Sequence, residues 1–434
     1  MDKMADVLGR AGAWCGQNKY LSAIKNAFQN FMPLTIAGAI GVLWCNVLVN
    51  ETTGLGMFFK PIMALDFLNP AFQAVNFCTI NCITVGITLG IAQEIGVWNM
   101  GAERAGYIPG LVGLAAWLSV TNTSHMVDGA KEAFTGVAGN ELGATGLFTG
   151  MIIGVLSVEL FCFFEKQDAL KIKMPEQVPP GVARAFEVLV PATITLIITA
   201  CIGSACYNLT GLYLNDVIKN GVQGPLGAVG ATVPGVMIIY LVIMLFWLVG
   251  IHGNNMLSAV KEALFTPLAL ENVEKFNKGE KPTNIINMYA LQMWGEFGGS
   301  GVTIGLVIAI MIFGKREDNK AIATLSLVPG LFNINETVTF GIPMVLNPIL
   351  GIPFVVAPLI TIIIGYVLTV IGFCPVACLT VPWTTPPIVF GFLACGANVM
   401  GAVTQAILIV VSTVIYVPFL ISYEKYQNKQ AAVA

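Results

Sequence analysis

The chain has 434 residues, of which 56% are hydrophobic and 10% charged, with a formal net charge of -3 and a mean hydropathy of +0.80. A soluble globular domain carries about 25% charged residues, so the composition excludes a soluble protein and predicts an all-α polytopic membrane protein. The small net charge, with no basic run and no zinc-finger spacing, excludes a nucleic-acid partner.

In chain order, residues 1–30 lack the compact apolar core and small-residue cleavage site of a signal peptide. They read as an amphipathic interfacial segment carrying Lys3, Arg10, Lys19 and Lys25 on the cytoplasmic face. A membrane span needs roughly 20 mostly apolar residues. Such runs occupy residues 31–49, 71–92, 146–164, 185–206, 226–250, 352–373 and 401–422. Two shorter glycine-containing runs, 107–120 and 299–314, have the character of broken helices or re-entrant segments. The expectation is about ten transmembrane helices with re-entrant hairpins and interfacial helices, lying in a lipid bilayer.

Lys and Arg set the orientation. The clusters are the N-terminal four; Lys166, Lys171, Lys173 and Arg184; Lys261, Lys275, Lys278 and Lys281; Lys315, Arg316 and Lys320; and Lys425 and Lys429. All of them are cytoplasmic, together with both termini, if 283–314 enters and returns and 321–351 begins and ends on the inside. The polar loop 165–184 is the clearest internal boundary. Residues 1–206 are expected to form a scaffold and 207–434 a working half, because polar residues enter the apolar regions only in the latter. No GxxxxGK[ST] motif is present, so an ion gradient or a separate soluble partner must supply the energy for any transport.

An ionisable group within the membrane costs about 2.5–3.5 kcal/mol on insertion scales, so such groups are functional candidates. Four stretches stand out. In "FWLVGIHGNNM" (246–256), Trp247 closes a span, Gly250 and Gly253 bracket His252, and Asn254 and Asn255 follow. The alternative reading is a helix end capped at the interface. In "NINETVTFGIPMVLNP" (333–348), Pro329 and Pro343 are expected to break the helix on either side of a hairpin tip that holds Asn335 and Glu336. A carboxylate inside protein there would be desolvated and would act as hydrogen-bond or proton acceptor; a salt-bridged structural Glu is the alternative. "MWGEFGGSG" (293–301) offers Trp294 and Glu296, and "VPWTTPP" (381–387) offers Trp383 in a loop over a pocket or in an interfacial belt. Amide and carboxylate acceptors beside aromatic faces suit a sugar, whose hydroxyls each need a partner and whose CH face stacks on Trp.

The ten cysteines are scattered through apolar segments, and neither His125 nor His252 lies near a cysteine pair. They read as small buried residues, with no metal site expected.

"GIHGNN" after a span, "NINETVTFGIPMVLNP" in a hairpin and "LGATGLF" at 142–148 together resemble the membrane (IIC) component of the phosphoenolpyruvate-dependent sugar phosphotransferase system, in its lactose/cellobiose/diacetylchitobiose branch. The resemblance covers essentially the whole chain. It departs at one point: the family hairpin reads Asn-Glu-Pro, and here Thr337 stands where that proline would be. The resemblance implies a homodimer built on the N-terminal half. This permease would carry a disaccharide inward, and a soluble IIB partner phosphorylated on cysteine would phosphorylate the sugar's 6-hydroxyl. It implies that Glu336 holds that hydroxyl, that His252 lies beside it and that Asn335 is a neighbouring contact. Trp247, Asn255, Glu296, Trp383 and the region around Asn140 are further sugar contacts by weaker matching. No cofactor is implied. N,N'-diacetylchitobiose is the expected sugar, ahead of cellobiose and lactose. An ion-coupled sugar symporter with Glu336 and Glu296 as proton carriers, and a channel or structural membrane protein, are the alternatives.

Overall fold

A computed structural model describes residues 14, 17–51, 55–125, 134–175, 177–225, 230–342, 344 and 347–433. It is helical apart from one two-residue hairpin, Ser124–His125 paired with Phe134–Thr135. Among the described residues, six helices are long and apolar enough to cross a membrane. A seventh crossing arises if Met288–Val302 and Ile304–Phe313, bent by 60°, count as one span. Ile108–Val120 and Val233–Leu248 are shorter apolar helices. All nine expected segments therefore coincide with apolar helices, and among the described residues six or seven are by length full crossings. A 16-residue helix is about 24 Å long, less than the roughly 30 Å hydrocarbon core.

The chain divides into two compact units. One comprises residues 17–38 and 74–228; the other includes residues 39–73 and 229–434. The crossover at 228/229, and the membership of 39–73, differ from a simple cut at 206/207.

In the first unit the helices are α1 (Lys19–Leu43, which continues into the second unit), α2 (Asn69–Cys78, which enters from it), α3 (Ile83–Met100), α4 (Ile108–Val120), α5 (Leu147–Glu165) and α6 (Pro180–Thr210). Residues 19–30 are not a separate interfacial segment. They are the first turns of α1, which runs on through Pro33, and Lys19 is tied into the bundle by Glu159 at 2.6 Å and Asn99 at 3.1 Å. Helices α3, α4 and α5 pack on one another, and α6 on α4 and α5. With apolar residues on every face, the seams are set by small residues that allow close backbone approach. A Cβ on Gly150 of α5 would lie 2.2 Å from Thr88 Oγ1 of α3. Trp117, Ala116, Val120 and Ile153 fill the centre. The buried Glu165 carboxylate at the end of α5 is held by Arg104 and Arg184, each at 2.8 Å, which satisfies the pairing a buried charge requires.

The second unit contains α7 (Val233–Leu248), α8 (Ser258–Asn277), α9 (Met288–Gly295), α10 (Ile304–Phe313), α11 (Glu317–Leu331), α12 (Glu336–Gly341), α13 (Gly351–Val370), α14 (Val389–Ala394) and α15 (Val399–Val433). Helix α15 packs against α10, α13 and α14, and α13 also against α7 and α9. Pro329 does not break the helix ahead of the hairpin. It sits inside α11, which ends two residues later, while Pro343 lies outside the described residues.

Gly150→Val should push α3 and α5 apart at Thr88 and destabilise the protein by about 1–3 kcal/mol. A thermal-shift assay of the detergent-purified protein checks this, with Gly181→Ala, whose added methyl meets nothing within 4 Å, as the reference.

Candidate functional site

Four interruptions of helix converge in the second unit. The first is the glycine run after α9, where Gly298, Gly299 and Gly301 have φ of 69°, 86° and 79°. Side chains are excluded there sterically as well as conformationally: a Cβ on Gly299 would lie 2.7 Å from Asn335, and one on Gly301 would lie 2.4 Å from the Phe354 ring. The run exposes backbone groups that the second interruption, the hairpin tip between α11 and α12, satisfies. Buried Asn335 donates from Nδ2 to Ser300 O at 2.8 Å. Asn333, in the left-handed region at φ 62°, accepts from Gly298 N at 2.6 Å. Its Nδ2 donates to Trp383 O at 2.5 Å and Thr385 O at 3.1 Å, which are in the third interruption, the loop before α14. Gln405 of α15 completes the set by accepting from Ile388 N and Gly391 N, each at 2.7 Å. Ile388 is held at φ 75°, a costly conformation for a β-branched residue.

The fourth interruption follows α7. Gly250 turns at φ 81°, and His252 caps the one-turn helix Gly253–Met256 by accepting from Asn255 N at its Nδ1, 3.2 Å away. That bond assigns the remaining hydrogen of a neutral ring to Nε2. Nε2 lies 3.8 Å from Glu336 Oε1, too far for a direct hydrogen bond. The imidazole packs on Trp247 with ring centroids 4.4 Å apart, and Trp247 meets Phe354 edge-on at 6.3 Å. Burial pushes the His252 imidazole below the usual histidine range, against the opposing pull of the Glu336 carboxylate.

These segments enclose a cavity of about 580 Å³, within the range of small-ligand sites. Its wall brings together six of the eight residues expected from sequence: His252, Asn255, Glu296, Asn335, Glu336 and Trp383. Trp247 is 2% exposed and lies behind the wall, buttressing His252. The Asn140 side chain lies outside the described residues. Glu336 is not desolvated as expected, because its side chain is 47% exposed. Glu296 instead is engaged: it accepts from Tyr240 Oη at 2.7 Å and pairs with Lys261. Lys261 is 5% exposed and also donates to Asn254 Oδ1 at 3.3 Å. Lys261, grouped with the cytoplasmic basic clusters on its sequence, thus has its ammonium consumed inside the fold.

Sequence reasoning missed Gln292, Asn333 and Gln405 in the wall. Gln292 Oε1 has no hydrogen-bond partner among the described residues. Nothing local marks Gln292 or Gln405, which sit in otherwise apolar helices. Asn333 had a signal, as an asparagine at the turn after a helix. Thr337 falls in the first turn of α12, where a backbone N–H has no partner within the helix, a position that accepts threonine as well as proline.

The family model for "Phosphotransferase system, EIIC" matches residues 25–358. The chain belongs to the phosphotransferase-system EIIC family, in its lactose/cellobiose/chitobiose branch. This EIIC permease is 31% identical over 439 residues to the oligo-beta-mannoside-specific EIIC component of Bacillus subtilis (strain 168), covering 100% of this chain and 96% of that one. It is 30% identical over 486 residues to the cellobiose-specific EIIC component of Lactococcus lactis subsp. lactis (strain IL1403), with 98% of each covered. Its fold superimposes with a TM-score of 0.88 on the crystal structure of the transporter ChbC, the IIC component from the N,N'-diacetylchitobiose-specific phosphotransferase system, at 29% identity over 97% of both chains. The permease is thus a multi-pass membrane protein that carries sugar and works with a IIB component.

Asn333→Ala should release the Trp383 loop from the hairpin tip and weaken sugar binding about tenfold, since it removes three hydrogen bonds at once; calorimetric titration checks this. The permease has two histidines, so His125→Gln leaves one imidazole to follow by NMR. His252 should remain neutral where a free imidazole is half protonated, near pH 6.5, and should gain its proton only at lower pH.

Proposed function

We propose that the permease carries a β-linked disaccharide inward, with N,N'-diacetylchitobiose ahead of cellobiose and lactose, and presents its 6-hydroxyl to a phosphorylated IIB protein between His252 and Glu336. The observation that carries this reading is the 3.8 Å gap between Nε2 and Oε1 at the cavity wall. A hydroxyl making hydrogen bonds of about 2.8 Å to both atoms fits such a gap with roughly a right angle at its oxygen. Nε2–H donates to that oxygen and the carboxylate accepts its hydrogen. As the 6-oxygen bonds to phosphorus and the cysteine S–P bond breaks, the hydroxyl proton passes to Glu336. The phosphate ester then leaves toward the cytoplasm. Positioning and proton acceptance supply most of what such a transfer needs.

The ranking of sugars is supported by the likeness to the diacetylchitobiose permease structure. We place both termini and the basic clusters other than Lys261 in the cytoplasm, on their charge pattern. Dimerisation through the N-terminal scaffold, and substrate binding by the C-terminal half, are part of the same proposal. The carboxylate of Glu296, already paired with Lys261, is poorly suited to the proton-carrier role of an ion-coupled symporter.

Glu336→Gln should lower phosphorylation by at least about 100-fold, the usual range for a lost general base, and retain much of the sugar binding; wild-type phosphorylation in this variant would remove Glu336 from the mechanism. The reading as a whole is tested by uptake of labelled diacetylchitobiose, cellobiose and lactose into vesicles holding the purified permease. Their interiors would contain buffer, phosphorylated IIB or an imposed proton gradient. Phosphosugar formed only with IIB is the expected outcome. Unmodified sugar concentrated by the gradient would establish the symporter instead.

A further inference from the structure

Resting on the reading above, we infer that the cavity ejects its product by charge, and that Glu296 serves this purpose by masking Lys261. The permease receives a neutral sugar and makes a phosphate ester carrying nearly two negative charges. A site built to hold that ester would present Lys or Arg to the phosphate. Among the described residues the wall contains neither; its charged side chains are the two carboxylates Glu296 and Glu336. The ammonium of Lys261, which pairs with the wall residue Glu296, is buried behind the wall. There it is bound to Glu296 and Asn254 and sits 5.6 Å from the Tyr240 ring centroid. Asn254 is in turn fixed by donating to Ser300 Oγ at 2.9 Å, and Tyr240 by donating to Glu296. The lysine's charge is therefore spent on one carboxylate, and Glu336 remains uncompensated where the new phosphate forms.

The proton bookkeeping gives the effect its timing. During transfer Glu336 holds the proton taken from the 6-hydroxyl and is neutral, so the phosphoryl group meets little repulsion. When Glu336 returns that proton to water, a carboxylate stands beside the phosphate, and like charges at contact distance in a partly desolvated site repel strongly. His252, a neutral Nε2–H donor, offers a hydrogen bond but no charge. Transfer is made directional by the site itself, and the product does not occupy the cavity against the next sugar.

The test measures binding of each panel sugar and of its 6-phosphate to the purified permease, for wild type, E296Q and K261M/E296Q. Wild type should bind the 6-phosphate at least about tenfold more weakly than the neutral sugar, a modest electrostatic discrimination. E296Q keeps the side-chain volume but unmasks the ammonium, and should shrink that ratio or invert it. K261M/E296Q, which removes both charges, should restore discrimination. Equal affinity of wild type for sugar and phosphosugar would overturn the inference while leaving the permease reading intact. So would a ratio unchanged by E296Q, since loss of packing alone would weaken both ligands alike. Absence of binding by every neutral sugar would instead overturn the proposed choice of sugars and their site. The wild-type comparison decides the central point whether or not the variants fold.

Discussion

Unwound backbone in so apolar a chain must find its hydrogen bonds within the protein, and the second unit is organised around meeting that requirement. Three amide side chains do most of it. Asn333 joins the glycine run, the hairpin tip and the Trp383 loop. Asn335 pins the hairpin to Ser300, and Gln405 holds the start of α14. Three of the four described non-glycine residues with positive φ, Val302, Asn333 and Ile388, lie in or beside these interruptions. Local strain is concentrated around the cavity and is carried by the helices α10, α13 and α15 that pack behind it. The same amides that repair the backbone set the cavity wall, so the fold and the site are one construction.

Within that wall the proposed chemistry rests on an asymmetry between two carboxylates. Glu296 is neutralised by a buried lysine and held by a tyrosine; Glu336 stands half exposed at the hairpin tip, 3.8 Å from an imidazole. One carboxylate is a fixture and the other is available. The imidazole owes its aim to its cap bond from Asn255 and to the Trp247 ring beneath it, so a tryptophan expected to meet sugar acts through the histidine instead.

The apolar runs were legible because a helix that crosses a membrane must be apolar along its whole length, and all nine read from the sequence are helices here. The site was legible where chemistry is out of place: His252 between glycines, and Asn335–Glu336 beside oily flanks. Lys261 misled because a lysine in a short polar stretch looks like a surface charge, and only the return of α9 to face α8 brings Glu296 to it. Pro329 misled because the proline gives up only the one bond that its missing N–H would make to the carbonyl four residues upstream, and the helix runs two residues past it before ending. Residues 19–30 looked interfacial because Lys19 and Lys25 break the apolar pattern, yet Lys19 finds Glu159 far along the chain.

The sequence by itself determined the class of molecule, the helices, the family and the polar residues that had no reason to be in the membrane, because hydropathy, helix-breaking glycines and motif spacing are local properties. The tertiary structure decided which polar residues share one wall, which carboxylate is masked and which tryptophan is buried. Those outcomes depend on contacts between segments 35 to 115 residues apart, such as Lys261 with Glu296 and Tyr416 with Gly301. No local pattern encodes them.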